Sequence, residues 1–125
     1  MVDITNPLNF DTFDSLTVPA DSSAAAEIAA KLPGSRVLKA FNTTFAGALA
    51  AGTVGQLTTT VLVAGDDADA DAKTTLIDVI SAAGLAAVDA GALKRAREME
   101  ALGFLQISLA ANEKFSWTGG FGVVA

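Results

Sequence analysis

The chain of 125 residues contains no cysteine and no histidine. Without cysteine it has no disulfide, no thiolate nucleophile and no sulfur-ligated metal site, and it needs no oxidising compartment. Without histidine it lacks the commonest general base and the commonest metal ligand, so a Ser-His-Asp triad is impossible. These two absences exclude several nucleophilic and metal-dependent classes of enzyme.

Basic residues are also scarce, since 8 Lys and Arg stand against 14 Asp and Glu, which gives a formal net charge of -6. Nucleic-acid binding needs clustered cations, and the one short cluster is Lys94, Arg95 and Arg97, which we interpret as a solvated helix face. The acidic run at 66–71 lacks the glycine and terminal glutamate of an EF-hand, so a solvated turn is favoured over a cation site. We therefore predict no nucleic-acid partner and no metal.

Long apolar runs are missing as well. No stretch approaches the roughly 18 apolar residues of a membrane span, and the N-terminus lacks the basic start and apolar run of a secretion signal. We therefore predict a cytoplasmic protein without a membrane partner. The hydrophobic fraction of 51% fits one domain over residues 1–125.

Short apolar segments rich in β-branched residues alternate with alanine-rich segments. The pattern predicts strands at 2–5, 36–41, 58–64 and 85–89, and helices at 24–32, 45–51, about 69–83 and 93–112. The last helix is expected to turn Ala96, Met99, Leu102, Leu105 and Leu109 inward. Such alternation is typical of βαβ units. The predicted class is α/β, a partial Rossmann-like fold with a parallel sheet of about four short strands, flanking helices and a long C-terminal helix.

Polar and aromatic residues directly follow the first two predicted strands, as the segments TNP at 5–7 and FNTT at 41–44. In a parallel sheet both segments emerge at the same edge, where ligands of open α/β sheets bind. Ordinary turn chemistry of Asn and Thr is the alternative. Near the C-terminus, Trp117 and Phe121 flank two glycines, and they either cover the core or form a wall for a flat ring.

The C-terminal segment GFGVVA, residues 120–125, formally matches the dinucleotide-binding pattern G-x-G-x-x-A. That motif works where its glycines follow a strand and open a helix whose N-terminal amides hold a pyrophosphate. Here the chain ends instead, so we interpret the match as accidental.

Five segments occur in an order that resembles a known family: VDITNPLNF, RVLKAFNTTFAGALAAG, TTVLVAGDD, GLAAVDAGALKRAREMEALGFLQISLA and WTGGFGVV. Together they resemble the C-terminal part of the F420-dependent NADP reductase family. The K-A-F-N-T and V-D-A-G segments are also similar to the cytosolic domain of membrane-bound ferric reductases. The resemblance covers essentially the whole chain but not the family's N-terminal glycine-rich half, and Ala92 stands where the family usually has Pro.

The resemblance implies the second half of a Rossmann-type NADP oxidoreductase, which transfers a hydride between NADPH and the deazaflavin coenzyme F420 or a flavin. Hydride transfer between two rings needs orientation and electrostatics, so no catalytic side chain is expected. By resemblance, residues 42–44 face the deazaflavin with 117–121 near it, and residues 5–7 lie near the nicotinamide. The expected cofactor-binding set is Thr5, Asn6, Pro7, Phe41, Asn42, Thr43, Thr44, Trp117, Gly119, Gly120 and Phe121. Without the phosphate-binding turn, the isolated chain is not expected to hold NADP by the family's mechanism.

Strands that the absent half would cover should leave an edge and an apolar patch exposed, and such features drive association. We therefore expect a homodimer or larger assembly. Two alternatives to an oxidoreductase part remain open. One is a non-catalytic, self-associating module derived from the family, and the other is a half-enzyme whose nucleotide-binding half is a separate polypeptide.

Overall fold

The computed structural model describes all 125 residues. In chain order the elements are β1 (Val2–Asp3), α1 (Ala24–Lys31), β2 (Leu38–Ala40), α2 (Ala46–Ala51), β3 (Thr53–Val54), β4 (Leu57–Thr58), β5 (Thr60–Ala64), α3 (Ala70–Ala82), β6 (Ala86–Gly91) and α4 (Ala96–Ala111). One turn of 3-10 helix precedes each of the last two helices. The predicted α/β class, with flanking helices and a long C-terminal helix, is confirmed.

Four strands form the main sheet in the order β1-β2-β5-β6. The outer pairs are parallel, but β2 and β5 are antiparallel, with Lys39 opposite Ala64 and Ala40 opposite Val63. The sheet is therefore mostly parallel, and the expectation of parallel pairing throughout is wrong at its centre.

The reversal at the centre of the sheet comes from the connection between β2 and β5. Gly52 ends α2 in a left-handed conformation with φ of 75°, which glycine adopts without strain. The β3–β4 hairpin follows, which the sequence pattern did not predict, and the Thr59 amide donates to the Gly52 carbonyl at 2.9 Å. These elements keep the chain at the edge where β2 ends, so β5 starts from that edge and runs back.

Helices cover both faces of the sheet, because successive strand residues point to opposite sides. On one face Val37 packs with Ala25 of α1 and with Ala96 of α4. On the other face Ala40, Val61 and Val63 pack with Ile80 of α3. Neither α4 nor any other helix is long and apolar enough to cross a membrane.

The buried face of α4 differs from the predicted one. Ala96 and Met99 are buried as expected, but Leu105 is 49% exposed. The buried residues of the helix are Ala96, Met99, Glu100, Gly103, Gln106, Ile107 and Ala110. The prediction placed only apolar side chains in the core. This helix also buries the carboxylate of Glu100 and the amide of Gln106, which have partners elsewhere in the fold.

Candidate functional site

The carboxyl ends of β1 and β2 meet through two asparagines. Asn6 donates from Nδ2 to the Asn42 carbonyl at 3.0 Å, and Asn42 donates from Nδ2 to Asn6 Oδ1 at 3.1 Å. Asn42 Nδ2 also donates to the Met99 carbonyl of α4 at 2.9 Å. The expectation that both segments emerge at one edge is confirmed, and parallel pairing of β1 with β2 is the reason.

Gln106 of α4 joins this edge to the C-terminal tail. Its Nε2 donates to the Thr43 carbonyl at 2.9 Å, and its Oε1 accepts from the Phe121 amide at 3.1 Å. We call Asn6, Asn42, Thr43 and Gln106 the strand-tip cluster. Gln106 was not predicted from the sequence, although a polar residue inside an apolar helical pattern was a signal for it.

Gly103 allows α4 to approach the strand-tip cluster. A Cβ at this position would overlap Asn6 Oδ1 and would lie 3.0 Å from the Asn42 carbonyl oxygen and 3.1 Å from Asn42 Nδ2. A larger residue there would have to displace the Asn6 side chain, so Gly103 is a second position of the site that was not predicted from the sequence.

The side-chain oxygen of Asn42 accepts no hydrogen bond. The residue is 5% exposed, and its Oδ1 is buried with no hydrogen-bond partner. Reversing the amide would set the oxygen against Asn6 Oδ1 and the Met99 carbonyl, both acceptors, so the hydrogen bonds settle its orientation. An unpaired buried acceptor costs free energy and calls for an explanation, which supports this edge as a candidate site.

The remaining predicted residues at the strand ends make short-range contacts. Thr5 donates from its amide and its hydroxyl to Asp3 Oδ1 at 2.9 and 2.7 Å. Thr44 donates from Oγ1 to the Phe41 carbonyl at 3.1 Å, and the Pro7 carbonyl accepts from the loop that follows it. Phe41 has φ of 67°, a left-handed conformation that costs a non-glycine residue about 1–3 kcal/mol and that recurs at functional sites.

Four aromatic side chains lie beside the end of β2, and we call Phe45, Phe115, Trp117 and Phe121 the aromatic cluster. The ring centroids of Phe45 and Trp117 are 5.2 Å apart, and those of Phe115 and Phe121 are 6.1 Å apart. Trp117 is 51% exposed and Phe121 47% exposed. The tail closes tightly on α2, because a Cβ at Gly47 would lie 3.1 Å from Thr118 Cγ2. The fold thus brings the two predicted groups, the strand ends and the tail, to one place.

Two glycines of the predicted set shape this tail. The Gly119 amide donates to the Ser116 carbonyl at 3.0 Å and closes a turn. Gly120 has φ of 144°, and a Cβ there would lie 3.0 Å from Gln106 Oε1. Residues 120–125 form no helix, in agreement with the interpretation of GFGVVA as an accidental match.

A buried ion network lies behind the strand ends. Lys39 Nζ is 3.0 Å from Asp3 Oδ2 and 2.9 Å from Glu100 Oε2, and it donates to the Thr5 carbonyl at 2.6 Å. Glu100 also accepts from the Ala24 amide at 2.7 Å, at the start of α1. The network holds the residues before Asn6 in place. Its signal in the sequence was a lysine inside the apolar strand segment VLKAF.

Lys73 of α3 ties the ends of β5 and β6 together. Its Nζ is 2.9 Å from Asp89 Oδ1 and donates to the Gly65 carbonyl at 3.0 Å and the Gly91 carbonyl at 3.2 Å. The hydrogen bond from Lys73, followed by that from the Gly91 amide, lowers the pKa of Asp89 below its usual value. This pair stabilises the fold at a distance from the strand-tip cluster.

The acidic run at 66–71 brings no three potential ligands together as a metal site would require. Asp66 Oδ1 accepts from the Leu93 amide at 3.0 Å, and Asp69 lies 3.6 Å from Arg36. These contacts agree with a turn that leads into a helix.

The mostly parallel sheet and its flanking helices define a Rossmann-like α/β protein. Among solved structures, the chain is similar to an Arthrobacter protein named for a proposed F420-dependent NADP-reductase activity, with 26% identity, a TM-score of 0.78, and coverage of 99% of this chain and 56% of that one. It is also similar to a hypothetical protein of Sinorhizobium meliloti, with 34% identity, a TM-score of 0.60, and coverage of 74% and 44%. No protein-family model and no curated protein matches the chain.

The chain spans about half the length of these two proteins. The similarity supports a general oxidoreductase-like relationship.

Proposed function

We propose that this chain supplies the deazaflavin-facing part of an NADP-dependent oxidoreductase, in which a hydride passes between NADPH and coenzyme F420 or a flavin. The observation that carries the proposal is the similarity of 99% of the chain to the Arthrobacter protein at a TM-score of 0.78. The absence of His and Cys is compatible with this chemistry, because ring-to-ring hydride transfer depends on orientation rather than on an acid or base side chain.

The aromatic cluster fits a flat ring. Trp117 and Phe121 are half exposed, and contacts to Phe45 and Phe115 hold them in place. A preorganised aromatic wall stacks on a planar ligand with little loss of side-chain freedom. In this proposal the ring contacts Trp117 and Phe121.

The strand ends have a different role in the proposal. Residues 41–44 and 5–7 border the same face, with Thr5 and Pro7 on the nicotinamide side. Both amide hydrogens of Asn42 already have acceptors inside the protein, in Asn6 and Met99. We therefore assign Asn6 and Asn42 a positioning role, in which they hold the two strand ends at a fixed separation.

The residues present do not fit the phosphates of NADP. A dinucleotide site of this fold needs a glycine-rich turn between a strand and a helix. The one formal match, at residues 120–125, opens no helix. The proposal therefore includes deazaflavin or flavin binding by this chain, and it assigns the nucleotide phosphates to residues outside it.

Fluorescence titration with coenzyme F420, followed by NADPH in the same cuvette, tests the proposal. We expect saturable F420 binding without hydride transfer, and Trp117→Ala should weaken binding about tenfold, since an aromatic contact is worth roughly 1 kcal/mol or more. Phe10→Ala is the matched control, because Phe10 is an exposed aromatic residue in the loop after β1. Absence of saturable binding, or an equal loss in both variants, contradicts the proposal.

A second candidate function, a non-catalytic self-associating module, is favoured by the exposed side of β1. This strand is at the edge of the sheet, and a groove of about 410 Å³ runs from it to α3. The exposed apolar residues that border this groove are Met1, Val2 and Val79. Unpaired edges with apolar surroundings pair with other chains. We propose a homodimer or larger assembly through this surface, with a separate nucleotide-binding half as the alternative occupant.

Sedimentation equilibrium at micromolar concentration tests the assembly. We expect at least a dimer mass, and Val79→Lys should shift the population towards monomer because it places a charge in an apolar contact. Val124→Lys, at an exposed valine of the C-terminal tail, is the control. A monomer mass for the unmodified chain contradicts self-association, and a neighbouring reading frame that encodes a strand followed by G-x-G-x-x-G would favour the separate half.

A further inference from the structure

A two-part groove lies between the loop before α1 and the first half of α4. Its apolar compartment, of about 390 Å³, is bordered by apolar residues that include Leu16, Val18 and Phe104, and on the side of α4 also by Arg97, Glu98 and Glu100. Its basic compartment, of about 230 Å³, is bordered by Ser22, Ser23, Lys94, Arg95 and Arg97, with Asp21 and Ala26. Ser22 and Arg97 border both compartments, so the groove is continuous. It shares no residue with the strand-tip cluster or the aromatic cluster.

The basic compartment concentrates positive charge in an acidic protein. Three of the chain's 8 basic residues border it, whereas the formal net charge is -6. Lys94 has no carboxylate within ion-pair distance, and Arg95 and Arg97 share the single carboxylate of Glu98, at 2.8 and 3.9 Å. Asp21 also borders the compartment, so two carboxylates, Asp21 and Glu98, stand against three cations.

The start of α1 contributes no free amides to this compartment. The Ala24 and Ala25 amides donate to Glu100 at 2.7 and 3.3 Å, and the Ala26 amide donates to Ser23 Oγ at 3.0 Å. An anion here would be bound by side chains rather than by the helix N-terminus.

Ser23, the N-cap residue of α1, supplies a further polar group beside these cations. The residue is 2% exposed, and its hydroxyl oxygen accepts from Ala26, but the hydroxyl itself donates to no acceptor in the protein. Its neighbour Ser22 differs, since it donates to Glu27 at 2.8 Å. A buried hydroxyl with a free donor, set among three cations, matches the needs of an anionic oxygen.

We propose that this groove binds a small organic phosphate, with the phosphate in the basic compartment and an apolar or aromatic body in the other. Lys94, Arg97 and Ser23 would contact the phosphate, and Phe104 the body. A phosphate is favoured over a carboxylate because it carries more charge and more acceptor oxygens for the three cations. The larger compartment, of about 390 Å³, falls in the range of small-molecule sites, and the basic compartment adds room for a phosphate group beside it. The proposal is independent of deazaflavin binding, since it uses other residues.

Calorimetric titration of the 125-residue protein with phenyl phosphate, inorganic phosphate and benzoate tests this site. We expect saturable binding of phenyl phosphate, with inorganic phosphate about tenfold or more weaker because it buries no apolar surface. Benzoate, which has the ring and a single charge, should also bind more weakly than phenyl phosphate. Phenyl phosphate that binds no more tightly than benzoate overturns the assignment of a phosphate.

Substitutions in each compartment distinguish its contribution to binding affinity. Lys94→Gln/Arg97→Gln should weaken both phosphates about tenfold or more, because two charge-assisted contacts are lost. Phe104→Ala should weaken only phenyl phosphate. Lys31→Gln/Lys114→Gln removes the same charge from two exposed lysines outside the groove and should leave affinity nearly unchanged. Equal losses in the two double variants would show nonspecific charge attraction and overturn the proposal.

The position of the ligand has its own readout. Amide chemical-shift changes on addition of phenyl phosphate should centre on Ser23, Arg97 and Phe104 and not on Trp117 or Phe121. Absence of saturable binding, or shifts centred on the aromatic cluster, overturns this proposal without bearing on F420 binding.

Discussion

Replacing Lys39 with methionine removes the cation from the buried ion network. Lys39 is 0% exposed, and its Nζ is within 3.0 Å of both Asp3 and Glu100. Methionine has a similar length and volume, so the change deletes charge and hydrogen bonds without opening a large cavity. Asp3 keeps its donors from Thr5, and Glu100 keeps those at the start of α1. The two carboxylates nevertheless lose the ammonium between them.

The expected loss is about 3–5 kcal/mol of the free energy of unfolding, the typical cost of removing one partner from a buried ion pair. A domain of this size has a total of roughly 5–15 kcal/mol, so the change should be large on the scale of the whole fold. Lys39→Met/Glu100→Gln should recover part of the loss, since one of the two uncompensated charges is then gone.

Urea unfolding followed by far-UV circular dichroism measures these values, and an unchanged slope would show that the denatured state is comparable. Lys114→Met is the control, because Lys114 is exposed and has no ion pair, and it should shift stability by no more than about 0.5 kcal/mol. A loss below about 1 kcal/mol for Lys39→Met would refute the reasoning, since it would mean that the carboxylates do not depend on Lys39.

Three further predictions concern other contacts. Gly103→Ala should destabilise the protein by about 1–3 kcal/mol, because the new methyl group displaces Asn6 from Asn42; urea unfolding measures this, and Gly34→Ala, where a Cβ meets no atom within 4 Å, is the control. Gln106→Ala should free the tail, so hydrogen exchange at the Phe121 amide should accelerate while the Leu49 amide in α2 stays protected; equal exchange in both proteins would contradict the role of Gln106. Asp89→Asn should cost at most about 1 kcal/mol above pH 4, since the carboxyl is 52% exposed. The lowered pKa of Asp89 means that the wild-type advantage is present above the unfolded pKa and is lost as pH falls through the folded one, so thermal unfolding midpoints of the two proteins should converge in acid and would contradict the pair if they diverged.

The local pattern of the sequence determined the order and type of the main elements. Gly52 and Gly84 follow helices with positive φ, and Pro33 with Gly34 follows α1, as glycine and proline commonly do at helix ends. The pairing of the first two strand ends was also predictable. A strand, a helix and a second strand in succession commonly form a parallel unit, as β1, α1 and β2 do here, which brings Asn6 and Asn42 to one edge.

Only the tertiary structure decided the direction of β5 and which polar side chains are buried in the core. Local hydrophobic pattern says that a segment is a strand, but it does not say which way its neighbour runs, and here the β3–β4 hairpin reversed it. Gln106 and its acceptor on Thr43 are 63 residues apart, and Asn42 and its acceptor on Met99 are 57 apart. A polar side chain is buried only where a partner satisfies it, and partners this distant in the chain come together only when the fold is complete.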